Sequence, residues 1–238
     1  METEFKEKLQ ILLAGAEIEM TRQMLQQSVR YYTLLVEENK KYNLTSITKP
    51  EEAAEKHFLD SLLLLPDLDE YKKPQVIDVG SGAGFPGLPL KIIRPELQMT
   101  LMDSAGKKTL FIDKIISELG LQGARTVHAR AEEHALEYRE YYDLALSRAV
   151  AEMRVLMELT IPLIKVGGKV IISKGPGVQE EIKTATNALQ MLGGEVERVR
   201  EFTLPVSGDK RAVVRIAKTH TTPPKYPRRP GMPGKRPL

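Results

Sequence analysis

The stretch Asp78-Val79-Gly80-Ser81-Gly82-Ala83-Gly84-Phe85-Pro86-Gly87 (DVGSGAGFPG, residues 78–87) decides the fold of this chain. It follows the apolar run Val76 to Val79, which is typical of a short buried strand, and it precedes a helical window from Leu88 to Ile93. Glycines at a strand-to-helix turn let the backbone turn tightly and come close to a ligand. Because open α/β sheets bind ligands outside the carboxyl ends of their strands, the stretch predicts a binding site as well as a fold.

Further strands are predicted on the carboxyl-terminal side of this stretch. They fall at Met99 to Asp103, Ala124 to His128, Leu144 to Ser147 and Lys169 to Ser173, with room for one helix between each pair. This alternation predicts a parallel sheet with helices on both faces. The last two strand-like runs, 195–204 and 211–218, are separated by only six residues. Since that link is too short for a crossover helix, it predicts an antiparallel hairpin at the end of the sheet.

The residues before the sheet are predicted to be helical. Apolar side chains recur at helical spacing over 9–16 and again over 25–36, and Pro50-Glu51-Glu52 favours the start of another helix that Pro66 ends. His57 and Asp60 lie three apart and therefore share one face of that helix. We divide the chain into an N-terminal helical region (1–66), a ligand-binding α/β domain (67–218) and a Pro-rich tail (219–238).

The tail holds the positive charge of the molecule. The 238-residue chain has a net charge of +3, but the tail alone carries +5 and the remainder −2. Its basic residues are Lys225, Arg228, Arg229, Lys235 and Arg236. Such a segment attracts RNA phosphates, so we predict that these five side chains bind RNA and that Tyr226 stacks on a base. The alternative is a disordered solubilising end, because Pro-rich basic segments do not build a core.

The composition excludes several chemistries. The chain has no Cys, which rules out disulfides, thiolate metal sites and cysteine nucleophiles, and its four scattered His residues predict no metal site. The start METEFKEKL lacks the pattern of a secretory signal, and no run is long and apolar enough for a membrane-spanning helix. We therefore expect a cytoplasmic protein without membrane contacts.

Two cofactor classes compete for the glycine stretch. The glycines from Gly82 onward satisfy the dinucleotide fingerprint G-x-G-x-x-G, and Asp103 lies 21 residues further on, near the distance of a ribose-binding acid. S-adenosylmethionine enzymes also have a glycine loop and a ribose-binding acid at these places. Asp78, two residues before Gly80, suits a cationic methionine group better than a pyrophosphate, and the terminal hairpin is typical of methyltransferase sheets. These features favour a methyltransferase, with a dehydrogenase and a purely structural turn as alternatives.

A resemblance to a known family rests on motifs in order along nearly the whole chain. They are NLTSIT (43–48), KHFLDSLLL (56–64), DVGSGAGFPGLPL (78–90), DS-x-x-KK (103–108), ARAEE (129–133), SRAV (147–150), SKG (173–175) and YPRRPGMPGKRPL (226–238). In this the chain resembles the RsmG (GidB) family of bacterial 16S ribosomal RNA guanine-N7 methyltransferases. The resemblance implies an α/β fold: a Rossmann-like class I S-adenosylmethionine methyltransferase sheet with a terminal antiparallel hairpin, preceded by N-terminal helices.

The same resemblance implies a reaction and its partners. The cofactor would be S-adenosyl-L-methionine, and the product N7-methylguanine at position 527 of 16S ribosomal RNA, either free or in an assembling small ribosomal subunit. We expect a monomer. A noncatalytic RNA-binding assembly factor and a dinucleotide-binding dehydrogenase are the alternative functions.

Several residues are implied to hold the cofactor. The resemblance places Gly80 and Phe85 in the first loop, Ala131 and Glu132 beside the adenine, and Arg148 at a further cofactor contact. We add the hypothesis that Arg148 pairs with the methionine carboxylate, the alternative being a structural ion pair.

Residue chemistry extends this cofactor set. Asp103 suits the ribose hydroxyls, Gly82 lets the backbone approach the cofactor, and Asp78 either orients the loop or meets the methionine ammonium. We assign no catalytic residue, because guanine N7 has a lone pair and no proton. His57 and Asp60 are predicted to be either an acid–base couple or a packing pair.

Overall fold

A computed structural model describes residues 1–68 and 70–238 of the chain, which form one seven-stranded sheet with helices on both faces. The strands are β1 (Gln75–Val79), β2 (Gln98–Asp103), β3 (Ala124–His128), β4 (Tyr142–Arg148), β5 (Ile164–Lys174), β6 (Gly194–Thr203) and β7 (Lys210–Lys218). The α-helices are α1 (Glu2–Gly15), α2 (Arg22–Tyr42), α3 (Pro50–Ala53), α4 (Asp60–Leu62), α5 (Gly87–Ile93), α6 (Gly106–Leu119), α7 (Ala131–Glu137), α8 (Met153–Thr160), α9 (Val178–Leu192) and α10 (Met232–Lys235). One π-helical segment (Ala54–Leu59) and two 3₁₀ turns (Leu65–Asp67, Ile161–Leu163) complete the described secondary structure.

The strand order is β3-β2-β1-β4-β5-β7-β6. Strands β1 to β5 run parallel, whereas β7 is antiparallel to both of its neighbours, β5 and β6. The predicted α/β fold with a terminal hairpin is therefore confirmed. Strand β5 begins at Ile164, five residues before the predicted start at Lys169. Gly167 and Gly168 concealed this part of the strand, because glycine is unfavourable in strands and is a poor strand signal.

Two hydrophobic cores cover the two faces of the sheet. Successive strand residues such as Val76 and Ile77 lie in opposite cores, because side chains alternate between the two faces of a β-sheet. The first core joins the sheet to α1, α2, α5 and α6, and the second joins it to α7, α8 and α9. The N-terminal helices thus share a core with the sheet. Among the described residues, no helix has the length and apolar run needed to cross a membrane.

The helix predicted to run from Pro50 to Pro66 is present as one continuous helical run over 50–62, with a change of hydrogen-bond pattern in its middle. A π-helical segment, 54–59, separates α3 from α4, and α4 ends at Leu62, before Pro66. The π-helical segment contains Glu55, whose carboxylate accepts hydrogen bonds from the backbone N–H groups of Val206 and Ser207 at 2.6 and 3.0 Å. This contact ties the N-terminal helices to the loop between β6 and β7. Insertions of this kind occur often at functional sites.

The tail is packed against the second face of the sheet, so the alternative of a disordered end is wrong. The Arg139 guanidinium donates to the backbone oxygens of Thr222, Pro223 and Tyr226 at 2.6–3.0 Å. Tyr226 is only 4% exposed and belongs to the second core. The prediction that Tyr226 stacks on an RNA base is therefore wrong. Arg139, which holds the tail, lies more than 80 residues before it in the sequence. The composition of the tail could therefore not reveal this contact.

Candidate active site

The glycine loop connects the end of β1 to α5 and is held against the end of β2. The N–H groups of Gly80 and Ser81 both donate to the Met102 oxygen, at 2.9 and 3.0 Å. Gly80 has a φ of +73°, and a Cβ atom there would lie 2.5 Å from Cγ2 of Val150. Glycine is thus required at position 80 by both the backbone conformation and the close approach of the loop after β4.

The N-terminal helix α2 packs against this loop. The Tyr31 hydroxyl on α2 is fully buried and donates to the Ala83 oxygen at 2.5 Å. Its ring also stacks on Phe85, with centroids 5.1 Å apart. The helical region therefore fixes the position of a loop that belongs to the sheet domain.

A cavity of about 410 Å³ opens at the carboxyl ends of β1 and β2, next to residues 129–132, which follow β3. Its wall contains four of the predicted cofactor residues, Gly80, Asp103, Ala131 and Glu132. We call it the first cavity. Its volume lies within the range of small-molecule sites, and its position is the one at which open α/β sheets bind ligands.

Asp103 lines the first cavity, and its carboxylate has not filled all of its hydrogen-bond acceptor positions. Oδ1 accepts from the Ala105 N–H at 2.9 Å, and Oδ2 accepts from the Gly82 N–H at 2.9 Å and from Lys108 Nζ at 3.5 Å. Two carboxylate oxygens offer about four acceptor positions, so Asp103 retains capacity for a hydroxyl donor. Gly82 acts through this contact: its N–H fixes the orientation of the Asp103 carboxylate.

The tail forms part of the first cavity, which the sequence did not reveal. Gly231, Pro233 and Gly234 line it, and the Gly231 N–H donates to Oε1 of Glu132 at 2.9 Å. Glu132 is buried at the start of α7. This carboxylate therefore joins two predicted sites, the cofactor site and the basic tail, that lie far apart in the sequence.

A second cavity, of about 650 Å³, lies beside the first. The two cavities share Ala149, Val150 and Ala151, the loop that follows β4, and we call this loop the shared wall. Ala149 has a φ of +55°, in the left-handed region that residues other than glycine seldom occupy. Such backbone strain persists only where the surrounding structure enforces it, and it is frequent at functional sites.

Comparison with known proteins shows the family of the chain. The model of the GidB family, described as rRNA small subunit methyltransferase G, matches residues 24–213. The chain belongs to this family. A protein named Ribosomal RNA small subunit methyltransferase G from Carboxydothermus hydrogenoformans is 44% identical over 97% of this chain and 99% of its own length. One with the same name from Halalkalibacterium halodurans is 46% identical over 99% of this chain and 98% of its own length.

Solved structures agree on the fold. NSun6 from Pyrococcus horikoshii has a TM-score of 0.58 and 15% identity, covering 74% of this chain and 57% of that chain. TrmN from Thermus thermophilus has a TM-score of 0.53 and 18% identity, covering 69% of this chain and 53% of that chain. These likenesses concern the fold alone, and they agree with the α/β sheet described above.

Asp78 and Phe85, two residues predicted to hold the cofactor, are not among the residues that line the first cavity. Oδ2 of Asp78, which is fully buried, accepts from the Gly87 N–H at 2.9 Å. Burial raises the pKa of Asp78 to about 7, although the Gly87 N–H and the Arg148 charge oppose this rise. Of the two predicted roles, this contact is the one that orients the loop. The Phe85 ring lies between Tyr31 and His57, within stacking distance of both.

Arg148 faces the second cavity, where it makes a structural ion pair. Its NH1 donates to the Lys56 oxygen at 2.9 Å and to Asp60 Oδ2 at 3.1 Å. Burial lowers the pKa of Arg148, and the nearby Asp60 and Asp78 carboxylates counter the shift. The structure thus shows the ion pair that the alternative predicted, and the contact of Arg148 with the cofactor stays a prediction.

His57 belongs to the same buried cluster. Its ring lies 4.4 Å from that of Phe85, and its Nε2 is 2.9 Å from the Thr45 hydroxyl. Burial, followed by the charge of Arg148, lowers the pKa of His57 to about 3. A histidine with this pKa is neutral near pH 7 and lacks the second ring proton that an imidazolium would donate as an acid. The packing role predicted for the His57 and Asp60 pair is therefore the one that the geometry supports.

The five basic residues of the tail separate into two groups. Arg228 makes a paired contact with Glu158 on α8, with Nε and NH2 reaching its two carboxylate oxygens at 2.8 and 2.5 Å. Glu158 is fully buried, so this ion pair anchors the tail. The other four, Lys225, Arg229, Lys235 and Arg236, have exposed side chains.

Proposed function

We propose that the chain transfers a methyl group from S-adenosylmethionine to N7 of a guanine in 16S ribosomal RNA of the small ribosomal subunit. The observation that carries this proposal is the pair of adjacent cavities with a shared wall, in a chain that belongs to the rRNA small subunit methyltransferase G family. One cavity suits the cofactor and the other the acceptor base. The family membership also removes the support for the dehydrogenase alternative.

The residues of the first cavity fit the cofactor. Asp103 retains acceptor capacity for ribose hydroxyls, while Ala131 and Glu132 form the wall that suits the adenine. Gly80 lets the backbone approach without a Cβ atom. When bound, S-adenosylmethionine supplies an electrophilic methyl group on a positively charged sulfur.

The contribution of the chain is to position this chemistry. Guanine N7 carries a free lone pair, so the reaction requires no general base, in agreement with the neutral, hydrogen-bonded state of His57. The shared wall holds the two cavities next to each other. Alignment of two reactants in this way accounts for roughly 7–11 kcal/mol of barrier lowering in well-oriented systems.

RNA binding falls to the exposed basic residues of the tail. Lys235 and Arg236 directly follow Pro233 and Gly234, which line the first cavity. We therefore assign phosphate contacts to Lys225, Arg229, Lys235 and Arg236, and an anchoring role to Arg228. We expect the chain to act as a monomer, and the substrate implies a cytoplasmic location.

Mapping the methylated position tests this function. Purified protein, S-adenosylmethionine and small ribosomal subunits from a strain lacking the gene are expected to yield N7-methylguanine at one position, which alkaline reduction and strand cleavage would locate. Protein-free 16S RNA, assayed in parallel, distinguishes free RNA from the assembling subunit as substrate. If S-adenosylhomocysteine binds but neither substrate is methylated, the noncatalytic assembly factor becomes the better description.

A further inference from the structure

The shared wall begins with an unfavourable backbone conformation. Ala149 has a φ of +55°, which residues other than glycine seldom adopt. The next residue, Val150, lies so close to Gly80 that a Cβ atom on this glycine would be 2.5 Å from Cγ2 of Val150. Because a strained conformation persists only where its surroundings enforce it, contacts within the protein must hold the wall against the glycine loop.

The wall is held on both sides of Ala149. Before it, the Arg148 guanidinium is bound to the N-terminal helical region by the contacts described above. After it, Lys174 Nζ donates to the Ala151 oxygen at 2.6 Å. Lys174 is the last residue of β5, which ends beside β4 in the sheet. It is the middle residue of the motif SKG (173–175), for which the sequence suggested no role.

Glu181 on α9 fixes Lys174 in this position. Its Oε2 accepts from Lys174 Nζ at 2.7 Å and from the N–H of Met153, the first residue of α8, at 2.9 Å. The side chain of Lys174 is 9% exposed and that of Glu181 33%, so water screens this pair only in part. Hydrogen bonds between charged groups are also among the strongest in proteins. One carboxylate oxygen therefore joins β5, α8 and α9 next to the shared wall.

We propose that Glu181 is a positioning residue for methyl transfer, because it holds the Lys174 ammonium on the Ala151 oxygen and thereby fixes the shared wall. This inference rests on the proposed function, since only that function requires two reactants to meet beside the wall. Glu181 acts through Lys174 and the backbone rather than by touching either reactant. A displacement of about 1 Å can cost roughly 100-fold in rate, so a wall that shifts lowers kcat.

The neighbouring Glu180 provides a matched control. Both glutamates lie in the first turn of α9. Glu180 Oε2 is 3.7 Å from Lys183 Nζ, and both of these side chains are 74% exposed. Glu180 is not among the residues that line the two cavities. Because exposed pairs of this kind contribute little, Glu180→Ala is expected to leave kcat unchanged.

The first measurement compares the kinetics of the unmodified protein, Glu181→Ala and Glu180→Ala. Glu181→Ala is expected to lower kcat about 10- to 100-fold. The KM for small subunits and the Kd for S-adenosylhomocysteine are expected to change far less, because the side chain binds neither reactant. Glu181→Gln keeps an acceptor of the same shape and is expected to recover part of the lost kcat. If Glu181→Ala does not fold, Glu181→Leu takes its place.

The second measurement reports the mobility of the wall directly. The chain contains no Cys, so Glu152→Cys creates a single attachment site for a spin label immediately after the wall. Glu152 is exposed, which allows labelling of the folded protein. In an otherwise unmodified chain, we expect the electron paramagnetic resonance spectrum of a restricted label. Addition of Glu181→Ala is expected to narrow the lines, whereas addition of Glu180→Ala leaves them unchanged.

The outcomes separate this inference from the function on which it rests. Equal kcat values for Glu181→Ala and Glu180→Ala overturn the inference. A lower kcat with an unchanged label spectrum also overturns it, because Glu181 would then act on a reactant without moving the wall. A Kd that rises as much as kcat falls indicates a general loss of structure and overturns it as well. If the unmodified protein binds S-adenosylhomocysteine but methylates no small subunit, the proposed function fails, and the inference fails with it.

Discussion

At the scale of single residues, the partner of a side chain decides its role more than its type does. Arg228 and Arg229 are adjacent and identical, and the sequence assigned both to RNA. In the structure Arg228 is bound by the buried Glu158, whereas Arg229 is exposed. The partner lies 70 residues away in sequence, so no local pattern could distinguish the two arginines.

Substitution of Arg228 is expected to lower the stability of the protein, whereas substitution of Arg229 is expected to weaken RNA binding. Arg228→Ala leaves the Glu158 carboxylate buried without its ion pair, so the free energy of unfolding is expected to fall by about 3–5 kcal/mol. Arg229→Ala is expected to change it by less than about 0.5 kcal/mol, because surface substitutions are usually small, and to weaken RNA binding instead. Denaturant unfolding and RNA titration measure the two effects. Equal stability of the two variants would contradict the anchoring role of Arg228.

At the scale of elements, the sequence predicted the features that depend on neighbouring residues and missed those that depend on distant contacts. The glycine loop, the strands and the terminal hairpin follow from strand period, glycine position and link length, and the structure confirms them. The π-helical segment at 54–59 was not predicted, since it depends on contacts such as that between Glu55 and the loop after β6. Of the eight predicted cofactor residues, the wall of the first cavity contains Gly80, Asp103, Ala131 and Glu132.

The tail illustrates the same limit for a whole segment. Its composition predicted an appendage that binds RNA, so that deletion of residues 219–238 would weaken RNA binding far more than cofactor binding. The structure changes this expectation, because Gly231, Pro233 and Gly234 line the first cavity and Gly231 donates to Glu132. The tail forms part of the wall of the first cavity as well as carrying positive charge.

Two changes to the tail separate its two roles. Truncation after Pro230 removes part of the cavity wall and the contact to Glu132, so the Kd for S-adenosylhomocysteine is expected to rise about tenfold or more. The double substitution Lys235→Gln and Arg236→Gln keeps the wall. It is expected to leave that Kd unchanged and to weaken RNA binding with a smaller dependence on salt, by about 0.7 in the log–log slope for each lost contact to single-stranded RNA. Unaltered cofactor binding by the truncated chain would show that the tail contributes nothing to the first cavity.

At the scale of the whole molecule, two cavities meet at one short loop on the carboxyl edge of the sheet. The sequence predicted the first cavity, because its glycine loop and its acid at the end of β2 are local motifs. It did not predict the second, which β4, β5, β7 and the π-helical segment build together. Residues such as Asp60, Arg148 and Arg211 converge there from three distant parts of the chain.

A structure of the protein bound to S-adenosylhomocysteine and to its RNA in the small ribosomal subunit tests the two-cavity arrangement most directly. We expect the cofactor product in the first cavity, with its ribose at Asp103, and the target guanine in the second. The sulfur and guanine N7 should face each other where the two cavities meet beside the shared wall, with only the transferred methyl group between them. A guanine that reaches the sulfur by another route, or a cofactor product lying in the second cavity, would contradict this arrangement.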